Sequence, residues 1–144
     1  MAKFLLPDVN VIAVVGVSRN PEKWGYKIFK TLLEKYPNIR IYPVNPKADE
    51  ILGHKAYRSI KELPETPDIV ITVVPPRITE VVVRQAAEIG VRYVWMQPGS
   101  ESEEAIKVAE DSGIIVFHNI CIVESSRMES PSSLFKIIKS EDEG

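Results

Sequence analysis

Gly16, Ser18 and Arg19 stand directly behind the apolar run Val11 to Val15, and Lys23 follows shortly after. A glycine lets the backbone turn and come close to a ligand. The amides of Val17, Ser18 and Arg19 would then point at a phosphate, aided by the positive end of a following helix. The Ser18 hydroxyl can donate to an anion, and Arg19 and Lys23 add charge. The same residues also fit an ordinary strand-to-helix turn with two solvated cations. This is not the usual dinucleotide fingerprint, because only Gly16 and Gly25 are present and nine positions separate them.

Three further stretches carry binding chemistry. Asn45, Pro46 and Lys47 follow a second apolar run. In NAD-binding folds an acidic residue at that point grips the ribose diol. A carboxylate there would repel a ribose phosphate, whereas an amide beside a lysine accepts one. The pattern therefore favours NADP or coenzyme A, with a merely polar turn as the other reading. Val74, Pro75 and Pro76 lack two backbone donors and form a stiff apolar ledge. It suits an adenine face or a pantetheine arm, and it also stops a strand and starts a helix. Gln97, Pro98 and Gly99 close a fourth stretch, where Gln97 can hydrogen-bond a ligand amide and Gly99 permits close approach. Trp95 is assigned to the core.

Groups able to do bond-making chemistry are scarce. His118 and Cys121 are three residues apart, and a Cys-His pair can act as nucleophile and base. No third orienting group accompanies them, and a free cysteine is commonly a core residue. His54, beside Gly53, reads as a surface residue. Glu101, Glu103 and Glu104 read as the favourable acidic first turn of a helix. No metal-ligand spacing occurs. Neither a catalytic residue nor a metal ligand is assigned.

The four stretches matter only if the fold brings them together. Apolar runs alternate with helical patterns, which predicts an α/β fold with a parallel sheet. Strands are expected at 11–15, 39–44, 68–74, 91–96 and 114–117. Asn20 and Pro21 predict a helix cap and first helical position, followed by Ile28, Phe29, Leu32, Leu33 and Tyr36 at helical spacing. Ser59 to Leu63 predicts a short helix in an otherwise irregular stretch. Ile78, Val81, Val82, Ala86 and Ile89 line a second long helix, closed by Gly90. Ser100 with Glu103 predicts a capping box for a further helix. The expected architecture is Rossmann-like: a doubly wound five-stranded parallel sheet of order 3-2-1-4-5. Ligands of such sheets bind beyond the carboxyl ends of the strands, near strand 1. All four stretches fall at those ends.

Composition sets the outer bounds. The chain has 144 residues, a formal net charge of −2, 26% charged and 44% hydrophobic residues. One domain over 1–144 is expected, with a core at about 10–123 and a tail at about 124–144. The near-neutral charge gives no reason to expect nucleic acid or an anionic membrane as partner. No apolar run reaches the roughly 18 residues of a membrane span. The N-terminal MAKFLLPD has too short an apolar patch for a secretory signal, and a single cysteine excludes an internal disulfide framework. The cytoplasm is the expected compartment.

Taken together, AVVGVSRNPEKWGYKI, YPVNPKADEILGHKAYRSIKELP, DIVITVVPP and VWMQPGSESEEA resemble the small stand-alone CoA-binding domain proteins of bacteria and archaea. The resemblance runs from about residue 11 to 121. That family is similar to the CoA-binding domain of the succinyl-CoA synthetase alpha subunit. The resemblance implies coenzyme A or acyl-CoA as ligand. It places Gly16, Ser18, Arg19 and Lys23 at the phosphates, and Asn45, Pro46 and Lys47 beside the adenosine ribose and its 3′-phosphate. Val74, Pro75 and Pro76 would wall the adenine, and Gln97, Pro98 and Gly99 would border the pantetheine. The synthetase's phosphorylated histidine belongs to a second domain, so the ligase reaction is not carried over and His118 does not replace it. Cys121 lies in a segment that many members share, which raises a mixed disulfide with CoA. The expected role is a non-catalytic binding module, with an acyl-CoA enzyme as partner. The competing expectation is an NADP-dependent or CoA-dependent enzyme or enzyme subunit.

Overall fold

Val11–Val15 (β1) is apolar throughout and buried at every position. Such a strand must have neighbours on both sides and cover on both faces. Its sequence neighbour is helix α1, Trp24–Lys35, which turns Ile28, Phe29 and Leu32 onto the sheet. A computed structural model describes Leu6 and residues 8–119. Cys121 and the tail from 124 onward lie outside the described residues.

Helix α1 starts later than the Asn20-Pro21 signal predicts. The Asn20 Oδ1 accepts from the Glu22 amide at 3.0 Å, and the Asn20 carbonyl accepts from the Lys23 amide at 3.0 Å. Asn20 thus closes a turn of its own, a local alternative to helix that its short side chain favours.

The chain continues through β2, Arg40–Val44. A two-stranded hairpin follows, β3 (Glu50–Ile51) and β4 (His54–Lys55), with Leu52 and Gly53 at its tip, both at positive φ. Next comes a 3₁₀ helix, Ile60–Glu62, capped by the Ser59 hydroxyl. Then come β5 (Ile69–Thr72), α2 (Pro76–Ile89), β6 (Tyr93–Met96), α3 (Glu103–Asp111) and β7 (Ile115–Phe117). Gly90 ends α2 in the left-handed region, as the sequence predicts. The cap of α3 is Ser102, whose Oγ accepts from the Ala105 amide at 3.2 Å. Ser100 is instead buried, with its hydroxyl 2.9 Å from that of Thr72 and 2.8 Å from the Gln97 carbonyl. Burial commits Ser100 to the end of β5, so the cap falls to the next serine.

The main sheet is parallel and five-stranded, in the order β2-β1-β5-β6-β7. Counted along the sheet strands this is 2-1-3-4-5, which corrects the expected 3-2-1-4-5. The stretch between β2 and β5 explains the difference. Tyr57 pairs with the outer edge of β2: its amide donates to the Pro43 carbonyl at 3.0 Å, and its carbonyl accepts from the Asn45 amide at 2.8 Å. That edge is therefore occupied, and β5 enters on the far side of β1. Right-handed crossovers then place α1 on one face and the Ile60 turn with α2 on the other.

Two apolar layers result. Ile12, Val14, Ile69, Ile71 and Trp95 pack with α1 and with Ile51 and Ala56 of the hairpin. Ala13, Val15, Val44, Val70, Val94 and Met96 pack with Ile60, α2 and α3. The fold is a doubly wound α/β sandwich of Rossmann-like type.

Candidate functional site

Because β2 lies on one side of β1 and β5 on the other, the crossovers diverge at β1. A crevice opens there at the carboxyl edge. Its centre is Gly16, at φ +99, where an added Cβ would lie 2.2 Å from the Val73 carbonyl oxygen. Only glycine allows this approach. Gly25 solves a second contact: its Cβ would lie 2.1 Å from the Gly16 carbonyl oxygen. The nine-residue glycine spacing is thus a packing device that seats α1 on the turn.

The amides behind Gly16 divide. Val17 is buried and turns its amide inward, 3.4 Å from the Val44 carbonyl. Those of Ser18 and Arg19 have no hydrogen-bond partner among the described residues. The Ser18 Oγ accepts from the Asn20 amide at 3.0 Å. Helix α1 opens with no side-chain cap and no acid in its first turn, and α2 does the same behind Pro75. Helix α3 has both a serine cap and two glutamates. The positive ends of α1 and α2 therefore carry no carboxylate within their own first turns.

Asn45 ties the two central loops together. Its Nδ2 donates to the Val17 carbonyl at 2.8 Å, and its Oδ1 accepts from the Lys47 amide at 2.7 Å. The side chain thus positions both loops, while Pro46 and Lys47 stand exposed beyond it. Arg19, Lys23 and Lys47 are exposed, and none forms an ion pair among the described residues.

A cleft of about 360 Å³ runs from this loop pair along α2. Val15 and Val44 form its floor, and Gly16, Val17, Ser18, Asn45 and Pro46 its loop side. Val74 lines it, with Pro75 and Pro76 exposed as a ledge beside it. Residues not assigned to the site from the sequence form the rest: Arg58, Ser59 and Ile60 on one wall, Ile78, Val81, Val82 and Gln85 on the other. The helical spacing assigns Ile78 and Val81 to a buried face. In the structure they are 37% and 50% exposed, because the apolar stripe of α2 runs past the core into the cleft. Arg58 lies in the irregular stretch, where periodicity carries no signal.

Gln97 is 4% exposed, and its backbone N–H donates to the Thr72 carbonyl at 3.1 Å. Pro98 and Gly99 are exposed at the end of β6, outside the cleft lining. His54 is exposed and meets the Phe29 ring edge-on at 5.6 Å. His118 is half-buried just past β7. No group of three or more His, Cys, Asp or Glu able to hold a metal occurs among the described residues. No described helix is long and apolar enough to cross a membrane.

A wider groove of about 490 Å³ follows the outer edge of β2. Its Arg40 is paired with Glu65, Nε to Oε2 at 2.7 Å, and Tyr42 donates to the same carboxylate at 2.5 Å. These hydrogen bonds, Arg40 first, hold Glu65 down at about 2. Burial, and then the bond to Glu65, push Tyr42 up to about 12. Of the groove's two cations, Arg40 is thus already paired, while Lys55 lies over the Tyr57 ring at 5.3 Å.

The fold and its crevice define a Rossmann-like α/β module. The family model described as CoA binding domain matches residues 10–126. The chain belongs to this CoA-binding domain family. It is 34% identical over 121 residues to the alpha subunit of ADP-forming acetate–CoA ligase II from Pyrococcus furiosus, covering 77% of this chain and 26% of the ligase subunit. It therefore spans about a quarter of that relative's length. YneT of Bacillus subtilis is 33% identical over 120 residues, covering 83% of this chain and 87% of YneT. A solved structure of a Pyrococcus furiosus protein shares 42% identity at a TM-score of 0.75, covering 81% of this chain and 98% of the other.

Proposed function

We propose that the chain binds coenzyme A or an acyl-CoA across the carboxyl edge of the sheet, as a binding module rather than a catalyst. The observation that carries this reading is the crevice at β1. Its glycine turn, uncapped helix starts and unpaired cations adjoin an apolar cleft, in a chain of the CoA-binding domain family.

In this reading Ser18, Arg19 and Lys23 take the diphosphate at the start of α1. Lys47, held beside Asn45 and Pro46, stands near the 3′-phosphate. Val74, Pro75 and Pro76 wall the adenine, and the Gln97-Pro98-Gly99 turn borders the pantetheine. The partner is an enzyme that makes or uses acyl-CoA, because the domain's relatives include a ligase subunit about three times as long as this chain. Nucleic acid and membrane surfaces are not partners in this reading, consistent with the −2 net charge.

Calorimetric titration with CoA, acetyl-CoA, NADP and NAD tests it. CoA or its acyl form should bind most tightly. NADP binding more tightly than CoA would replace this reading with a nicotinamide-linked enzyme.

A further inference from the structure

Of the described residues that line the 360 Å³ cleft, Arg58 alone carries a charge. The backbone on both sides of it is pinned. Tyr57 is hydrogen-bonded to β2 through its amide and its carbonyl, and the Ser59 Oγ accepts from the Lys61 amide at 3.0 Å. Arg58 has no ion pair among the described residues, whereas Lys61, three positions on, is paired with Glu88 at 2.8 Å. Lys47 does not line the cleft, and no carboxylate does.

An exposed arginine lining an apolar cleft with no protein counter-ion among the described residues calls for an anion on the ligand. Its planar fork matches phosphate oxygens. Arg19 and Lys23 lie at the other station, where α1 begins on the opposite face of the sheet. The two stations, with the Gly16 turn between them, call for a ligand with two separated phosphate groups. We propose that Arg58, in addition to Lys47, selects a 3′-phosphorylated adenosine over one with a free ribose diol. Gln85 on the facing helix is one of the cleft's neutral polar groups, with Ser18, Asn45 and Ser59.

This inference rests on the CoA reading, and one titration set separates the two. Wild type, R58Q and R58K are titrated with CoA and with dephospho-CoA at one salt concentration. R58Q should lose about tenfold or more in affinity for CoA and less than about twofold for dephospho-CoA, the scale of a charged hydrogen bond. R58K should fall between. Unliganded R58Q should melt with wild type, because the side chain is exposed and unpaired. Unchanged CoA affinity in R58Q, or equal losses for both ligands, would overturn the inference alone. Wild type that binds neither ligand would overturn the CoA reading and this inference with it.

Discussion

Gly16 and Gly25 are constrained by two adjoining contacts, Gly16 against the Val73 carbonyl and Gly25 against the Gly16 carbonyl, and each forbids a side chain. G16A combines positive φ with a Cβ 2.2 Å from a backbone oxygen. Strain and overpacking together should cost about 2–5 kcal/mol in urea unfolding. G25A should also destabilise, since its Cβ would meet the Gly16 carbonyl at 2.1 Å. Near-wild-type stability of G16A would refute the close approach of the turn to Val73, and of G25A the close approach of α1 to the turn. Among the cations, R19A should weaken CoA and dephospho-CoA alike, by about 1–3 kcal/mol. K47A should weaken CoA more than dephospho-CoA if Lys47 stands near the 3′-phosphate. Calorimetry with both ligands reads the two patterns.

Between elements, one tie holds the site's loops and another holds the far end of β2. Asn45 links the β1 and β2 loops, so N45A leaves the Val17 carbonyl and the Lys47 amide without this partner. A stability loss of about 1 kcal/mol is expected, with weaker CoA binding because two loops lose their registration. The second tie is Glu65, which anchors the chain before β5 to Arg40 and Tyr42 of β2. Its carboxyl is depressed from its ordinary 4.5 to about 2. The stabilisation is therefore present above about pH 4.5 and fades as pH falls towards 2. Arg40 is more than half exposed, so solvent limits the effect to about 1 kcal/mol or less. Melting of wild type and E65Q across pH 2–7 should show curves that separate near neutrality and converge in acid. A gap that persists at low pH would assign the effect to packing instead.

For the whole molecule, the binding edge is assembled from segments far apart in the chain. A ligand that bridges them must stabilise the native state by mass action. At a hundredfold excess over Kd, CoA should add about 2.7 kcal/mol, a rise of roughly 5–10 °C in melting temperature for a domain of this size. NAD should give little shift at the same concentration. Equal shifts from both would remove the argument for a ribose phosphate.

The strands of the main sheet and the long helices were legible from local pattern, whereas the β3–β4 hairpin and the start of α1 were not. Val11–Val15 reads as a buried strand because it is apolar without interruption, and α2 shows its stripe and its Gly90 stop. These are short-range properties, set by side-chain period and by the backbone freedom of glycine and proline. The four carboxyl-edge stretches and the CoA-binding resemblance follow from the same local text. Strand order does not, because nothing near Asp68 in the chain says on which side of β1 the next strand enters. Tyr57 on the edge of β2 settles that. The cap shift from Ser100 to Ser102 likewise depends on Thr72, 28 residues away. Asn45 as a tie rather than an open amide depends on Val17, also 28 residues away. Arg58 as the cleft's cation depends on α2 folding across from it. Each of these is a long-range contact, and a linear pattern of residue types holds no record of which distant groups meet.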